Sequence, residues 1–146
     1  MKIAIASDHA GYDMKEHVKQ ELQKKGIEVK DFGTHSKNSV DYPDFVHPVV
    51  TSIQKGEFEQ GILLCGSGNG MVMAANRHSN IRAALCWTGE LSRLAREHNN
   101  ANVLCIPARF IDTNTADTMV EEFVNTPFEG GRHQTRVDKI EIGQAC

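Results

Sequence analysis

The chain lacks most of the features that mark membrane, secreted and zinc-binding proteins. Its 146 residues include only four cysteines, none in the C-x-x-C spacing of a zinc or redox motif. No segment approaches the roughly 18 apolar residues of a transmembrane helix. The pattern of the first residues predicts a β-strand and lacks the long apolar region of a secretory signal. We therefore expect a cytoplasmic protein with reduced thiols and no structural metal.

An excess of positive charge is also missing. The formal net charge is −3, which provides no basic field to attract nucleic acid or an anionic membrane. We therefore expect neither as a partner, and any anion that the protein binds must be held by a local cluster of arginines. The length suits one domain over residues 1–146, large enough for a full hydrophobic core.

Apolar runs alternate with segments of helical period along the whole chain. Because such alternation is typical of a parallel sheet covered by helices on both faces, it predicts an α/β fold with five strands. The predicted strands are Lys2–Ser7, Glu28–Phe32, Gly61–Cys65, Ile81–Cys86 and Asn102–Ile106.

The predicted helices differ in how much of their surface is apolar. The first has an apolar stripe at Met14, Val18 and Leu22, with Lys15 on the opposite, polar side. The helix that starts near Asn69 is apolar nearly all round, which predicts complete burial.

The second helix contains a proline within its apolar pattern. Asp41 is its expected cap and Pro43 stands near its first position. Pro48 removes a backbone hydrogen bond, so we expect it to kink or delay this helix.

A cysteine and three glycines follow the third strand, in the sequence C-G-S-G-N-G at residues 65–70. A strand, a glycine-rich turn and a helix start direct several backbone N–H groups at one point, which favours an anion or oxyanion. The same amides stabilise a thiolate at Cys65, which makes it a candidate base or nucleophile. The alternative is a tight turn with no chemical role. Cys86 and Cys105 lack such a turn, so we expect them to be core residues.

Two histidines and an aspartate allow both structural and functional interpretations. His98 completes an apolar helical stripe, as a core histidine does, but Asn99 and Asn100 end that helix and place the imidazole near a rim where acid chemistry is possible. Asp8 and His9 follow the first strand, at the edge of the sheet where ligands bind. Asp8 is alternatively the cap of the next helix.

Three arginines are candidates for anion binding. Arg132 and Arg136 lie one helical turn apart, and with Arg109 they have the geometry to hold a phosphate with paired hydrogen bonds. The alternative is solvated surface charge, with Glu129 or Asp138 as partners.

Six motifs in order give the chain a resemblance to ribose-5-phosphate isomerase type B, within the wider family that includes galactose-6-phosphate and allose-6-phosphate isomerases. They are S-D-H-A-G-Y at 7–12, V-D-Y-P-D at 40–44, C-G-S-G-N-G at 65–70, A-A-N at 74–76, R-E-H-N-N-A-N at 96–102 and G-G-R-H-Q-T-R at 130–136. The resemblance covers essentially the whole chain. One branch of the family has a glutamate base directly after the glycine turn. Here that position is Met71, so the chain resembles the cysteine-based branch.

The resemblance implies a Rossmann-like three-layer α/β/α sandwich with a five-stranded parallel sheet and a C-terminal helix. It also implies a homodimer, or a tetramer, with active sites shared between subunits. The implied reaction interconverts ribose 5-phosphate and ribulose 5-phosphate through an enediolate, in the non-oxidative pentose phosphate pathway, without a metal or organic cofactor. The six-carbon phosphates of allose and galactose are alternative substrates.

The resemblance also implies a role for each matching residue. Cys65 matches the base and His98 the acid that opens the sugar ring. The implied substrate-binding residues are Asp8, His9, Gly66, Ser67, Gly68, Asn69, Gly70, Asn99, Arg109, Arg132 and Arg136, with Tyr42 beside them. Two other classes of function stay open: a sugar-phosphate binding module without catalysis, and a hydrolase with Cys65 as nucleophile and His98 as base.

Overall fold

The computed structural model describes residues 1–142, which form a parallel sheet flanked by helices. The elements along the chain are β1 (Lys2–Ser7), α1 (Tyr12–Lys24), β2 (Glu28–Asp31), α2 (Pro43–Gln54), β3 (Gln60–Cys65), α3 (Asn69–Ala75), β4 (Ala83–Leu85), α4 (Gly89–Asn99), β5 (Val103–Pro107), α5 (Thr113–Asn125) and α6 (Arg132–Asp138). In the described part of the chain, no helix is both long and apolar enough to cross a membrane.

The five strands are all parallel, in the order β2-β1-β3-β5-β4. Successive side chains of a strand point to opposite faces, so Ile3 and Ile5 join one core and Ala4 and Ala6 the other. The first core lies under α1, α4 and α5, and the second under α2 and α3. The predicted three-layer α/β/α sandwich with a five-stranded parallel sheet is confirmed.

The topology also locates the ligand crevice. The chain moves outward from β1 to β2 and then returns to form β3 on the other side of β1. In open parallel sheets, ligands bind beyond the carboxyl ends of the strands at such a reversal. The residues that follow β1 and β3 begin at Asp8 and Gly66, both within the predicted site.

The second helix differs from its prediction in its cap and in the effect of Pro48. The side chain of Asp41 does not cap α2: the cap position is Tyr42, which makes no side-chain cap hydrogen bond, and Pro43 occupies the first turn. Pro48 does not delay the helix, which runs unbroken over 43–54. Its exposed position explains this tolerance, because water can reach the Asp44 carbonyl that the missing amide would have bonded.

Two predictions about burial were wrong. Lys15, assigned to the polar side of α1, is completely buried. The third helix is buried only along one side: Met71 and Ala75 are inaccessible, whereas Met73 is 66% exposed. A seven-residue helix that packs on a sheet has one inward face, and an apolar residue on its other face remains at the surface.

Candidate active site

A cleft of about 410 Å³ opens at the carboxyl edge of the sheet. It lies where β1, β3 and β5 end, because the segments that leave these strands form its walls. Its lining residues are Asp8, His9, Ala10, Tyr42, Cys65, Gly66, Ser67, Gly70, Arg109 and Phe110. Topology thus brings together residues that are about a hundred positions apart in sequence, including seven of the predicted site residues.

Cys65 occupies the last position of β3, with its side chain facing this cleft. Its Sγ accepts a hydrogen bond of 3.1 Å from the backbone N–H of Gly68. Gly68 has a left-handed backbone (φ +77°) immediately before α3, and this conformation turns its amide toward the sulfur. An N–H donor and the positive end of a helix both favour a negatively charged sulfur. The turn therefore gives the Cys65 sulfur a backbone hydrogen-bond donor at the edge of the cleft.

The other two described cysteines have a different environment. Cys86 and Cys105 are buried in the core, and neither lines the cleft. Burial raises the pKa of the Cys86 thiol to about 11. Burial likewise raises the pKa of Cys105 well above its ordinary value. Both remain neutral thiols near pH 7, which confirms them as core residues.

The glycine turn is packed against two side chains of the cleft. The Arg109 side chain lies over Gly66, where an added Cβ would sit 3.2 Å from the arginine Cδ. The Tyr42 ring lies over Gly70, where an added Cβ would come within 2.6 Å of the ring. The side chains of Ser67 and Asn69 are exposed. The turn therefore offers backbone amides from its glycines and a hydroxyl from Ser67 to a ligand.

Asp8 and His9 have partners that fix their orientation. One carboxylate oxygen of Asp8 accepts the N–H groups of Ala10 and Gly11. These bonds form a turn before α1 but do not cap it, because the cap position is Gly11 and has no side-chain cap hydrogen bond. The alternative role of Asp8 as a helix cap is therefore wrong, and the residue lines the cleft. His9 Nδ1 accepts the N–H of Val40 at 3.2 Å, so the neutral ring carries its proton on Nε2.

A buried ion pair supports this end of the sheet. Lys15 Nζ lies 2.8 Å from both carboxylate oxygens of Asp31 and donates to the Thr34 carbonyl at 2.7 Å. Thr34 in turn donates its N–H to the Ser7 carbonyl, directly before Asp8. Burial raises the pKa of Asp31, but hydrogen bonds from Lys15, Lys19 and a backbone amide outweigh it, and the net pKa is lowered.

Four predicted site residues lie away from the cleft. His98 and Asn99 are in the last turn of α4, and Arg132 and Arg136 are on α6. Asn99 lines a separate cavity of about 610 Å³ that also includes Arg82 and Ala83 at the amino end of β4. Because α4 starts at the carboxyl edge and rises about 1.5 Å per residue, its last turn is near the opposite edge from Cys65. A single chain therefore does not bring the predicted site residues of α4 and α6 close to Cys65.

The arginines of α6 are available to a ligand. Arg132 and Arg136 are exposed, and within residues 1–142 neither forms an ion pair. The surface partners considered for them are engaged elsewhere: Glu129 lies beside His133, and Asp138 accepts a hydrogen bond from Gln134. Within the described residues, Arg132 and Arg136 therefore do not form the surface ion pairs with Glu129 or Asp138 that were the alternative.

His98, Glu129 and His133 bring three possible metal-ligating atoms within 4.8 Å of one another. The rings of His98 and His133 are stacked, with centroids 4.3 Å apart and planes at 15°. A nitrogen lone pair lies in the plane of its ring, so stacked rings direct their lone pairs side by side. This arrangement does not suit a shared ion, for which ligand directions must converge.

The fold and the cleft together define a class of protein: a parallel α/β protein with a cysteine thiol beside a glycine-rich turn at the carboxyl edge of its sheet. A family model described as Ribose/Galactose Isomerase matches residues 3–140, and the chain belongs to this family. It is therefore a sugar-phosphate isomerase of the aldose–ketose type, as the resemblance predicted.

Curated and solved relatives agree with this assignment. The chain is 39% identical to ribose-5-phosphate isomerase B of Escherichia coli over 139 residues, 95% of this chain and 93% of the relative. A crystal structure of ribose 5-phosphate isomerase from Thermotoga maritima has 57% identity and a TM-score of 0.94, covering 95% of this chain and 96% of the other. Ribose-5-phosphate isomerase B of Mycoplasma genitalium, solved with bound ribulose-5-phosphate, has 42% identity, a TM-score of 0.92 and coverage of 95% and 93%.

Sequence reasoning missed three residues at or near these sites: Phe110, Lys15 and His133. Phe110 lines the cleft and is 75% exposed, and its position after Arg109 was the available signal. Lys15 pairs with Asp31 and His133 stacks on His98, which are distant in sequence, so spacing gave no signal for either interaction.

Proposed function

We propose that this chain interconverts D-ribose 5-phosphate and D-ribulose 5-phosphate, with Cys65 as the base. The observation that carries the proposal is the Gly68 N–H bond to the Cys65 sulfur at the head of the cleft. The relative from Mycoplasma genitalium that binds ribulose-5-phosphate supports the choice of sugar. The cleft is also of a size that admits a five-carbon sugar phosphate.

The reaction begins with opening of the furanose ring. His98 and Asp8 assist the transfer of a proton from the anomeric hydroxyl to the ring oxygen, which gives the open aldehyde. The Cys65 thiolate then takes the proton from C2, and the electron pair moves toward C1 so that negative charge develops on O1. A proton passes from O2 to O1, and the Cys65 thiol returns its own proton to C1.

The charge on O1 is stabilised by the glycine turn. The Gly68 N–H already bonds the Cys65 sulfur and the Asn69 N–H the Ser67 oxygen, so the donors to O1 are the remaining amides of the turn and the Ser67 hydroxyl. One such donor contributes about 3–4 kcal/mol to lowering a barrier of this kind. No part of this scheme requires a metal ion or an organic cofactor.

We also propose that a complete site needs two copies of the chain. An acid must come within about 3 Å of the atom it protonates, yet His98 lies near the sheet edge opposite Cys65. A homodimer in which the α4 and α6 end of one copy covers the cleft of the other supplies His98, Asn99, Arg132 and Arg136 to each site. Arg109 of the cleft then shares the phosphate with Arg132 and Arg136.

Replacement of Cys65 tests the proposed base. Cys65→Ser should lower kcat for ribose 5-phosphate by about 10³-fold, because a serine hydroxyl does not ionise near pH 7. Cys86→Ser is the matched control and should retain most of the activity. The assay includes allose 6-phosphate and galactose 6-phosphate to define the preferred sugar. An active Cys65→Ser enzyme would refute the mechanism, and faster turnover of a six-carbon phosphate would refute the proposed substrate.

A further inference from the structure

The imidazole of His98 is held against a second ring. His133 stacks on it with a centroid distance of 4.3 Å and an angle of 15° between the planes. His133 is 93% buried, since its exposed fraction is 7%, whereas His98 retains partial exposure. One ring is thus fixed in the protein and the other lies between it and solvent.

His133 is itself held by the segment before α6. Its Nε2 lies 3.2 Å from a carboxylate oxygen of Glu129, but no described residue gives that nitrogen a well-aligned hydrogen bond. The two groups are therefore in contact without a well-aligned hydrogen bond. The backbone N–H of Glu129 donates to the Glu97 carbonyl at 3.1 Å, which ties this segment to the residue directly before His98.

His98 lies in the last turn of α4. Asn100 adopts a left-handed conformation (φ +47°) and terminates the helix two residues after His98. A general acid is effective only if its nitrogen is aimed at the atom to be protonated, and a misplacement of about 1 Å can cost 10²-fold in rate.

We infer that His133 is a positioning residue: its buried ring, held beside Glu129, sets the plane of the His98 imidazole for proton transfer. This inference rests on the proposed role of His98 as the acid. It concerns orientation alone, so it predicts an effect on kcat rather than on substrate binding. Arg132 and Arg136 stay in place because Val137 is buried and the Glu129 backbone bond does not depend on the His133 side chain.

The experiment compares His133→Ala with His133→Phe. The alanine variant should lose about 10- to 100-fold in kcat with ribose 5-phosphate while KM changes little. The phenylalanine variant keeps an aromatic ring at this position and should recover most of the loss. Gln134→Ala, an exposed neighbour on α6, is the matched control and should behave as the unchanged protein. Thermal melting of each variant shows whether it is folded.

A second measurement does not depend on activity. The ring protons of His98 should show an upfield NMR shift from the neighbouring aromatic ring, which disappears in His133→Ala and persists in His133→Phe. Equal kcat values in a folded His133→Ala and the unchanged protein, or a loss that phenylalanine does not reverse, would overturn the inference. If His98→Asn itself leaves kcat unchanged, the proposed function of His98 fails, and the NMR shift still reports the stack.

Discussion

The two ends of the molecule that carry predicted site residues are built in different ways. The cleft around Cys65 is supported by buried strand ends and by the fully buried Lys15. The end formed by α4 and α6 carries exposed arginines, and the exposed Asn99 lies beside a wider cavity. Under the proposed function, the first end has the organisation of a base and anion hole that must be rigid before substrate arrives. The second has that of a recognition surface presented to another molecule.

Mixing two inactive variants is the strongest test of this division. Cys65→Ser alters the cleft, and His98→Asn alters the end formed by α4 and α6. A hybrid dimer of the two variants contains one intact site, with Cys65 from the His98→Asn copy and His98 from the Cys65→Ser copy. After subunit exchange at equal concentrations, activity should recover to about a quarter of the unchanged protein. It is measured as isomerase rate before and after exchange.

The control mixture combines Cys65→Ser with Cys65→Ala, which cannot form an intact site and should stay inactive. If the first mixture also stays inactive although hybrids are shown to form, each chain uses its own His98, and the division between the two ends is wrong.

A smaller effect is expected from the phosphate-binding residues. Hydrogen bonds to charged groups contribute about 1.5–3 kcal/mol each, so Arg132→Ala or Arg136→Ala should raise KM for ribose 5-phosphate about 10- to 100-fold. Lysine keeps the charge without the paired donors and should cause a smaller rise. Arg93→Ala, which removes an arginine paired with Glu97, is the control. If KM is unchanged in both α6 variants, Arg132 and Arg136 are surface charges that do not bind the phosphate.

The smallest expected effect concerns stability at the cleft end. Asp31→Asn removes the closer of two carboxylates beside the buried Lys15, leaving Glu16 at 3.3 Å. It should lower the free energy of unfolding by about 3 kcal/mol at pH 7. The pKa of Asp31 is lowered in the folded protein, so its contribution is complete above the ordinary aspartate pKa and is lost as pH falls through the folded value.

Urea unfolding at several pH values measures this dependence. The difference between the unchanged protein and Asp31→Asn should narrow below about pH 4. Glu21→Gln, which removes a surface partner of Lys24, should have no comparable effect. A difference that stays constant down to acid pH would show that the ion pair does not support the cleft.

Local pattern predicted the elements that form the cleft better than it predicted their packing. The strand Lys2–Ser7 and the helix from Asn69 to Ala75 occur where apolar runs and the glycine turn placed them. Lys15 was misassigned because helical periodicity sorts residues by polarity, whereas its burial depends on Asp31, sixteen residues away. The stacking of His98 on His133 likewise arises from the docking of α6 on α4, which no spacing within either helix encodes.

The glycine turn has a consequence for how this protein tolerates mutation. A Cβ at Gly68 would meet the Leu85 side chain in a backbone conformation that L-residues rarely adopt, and one at Gly70 would displace the Tyr42 ring. Ser67 and Asn69 point to solvent between these closed positions. In a saturation library over 66–70 that is screened for folded protein, diversity should therefore be concentrated at Ser67 and Asn69. Substitutions in this loop that change substrate preference are therefore expected at Ser67 and Asn69.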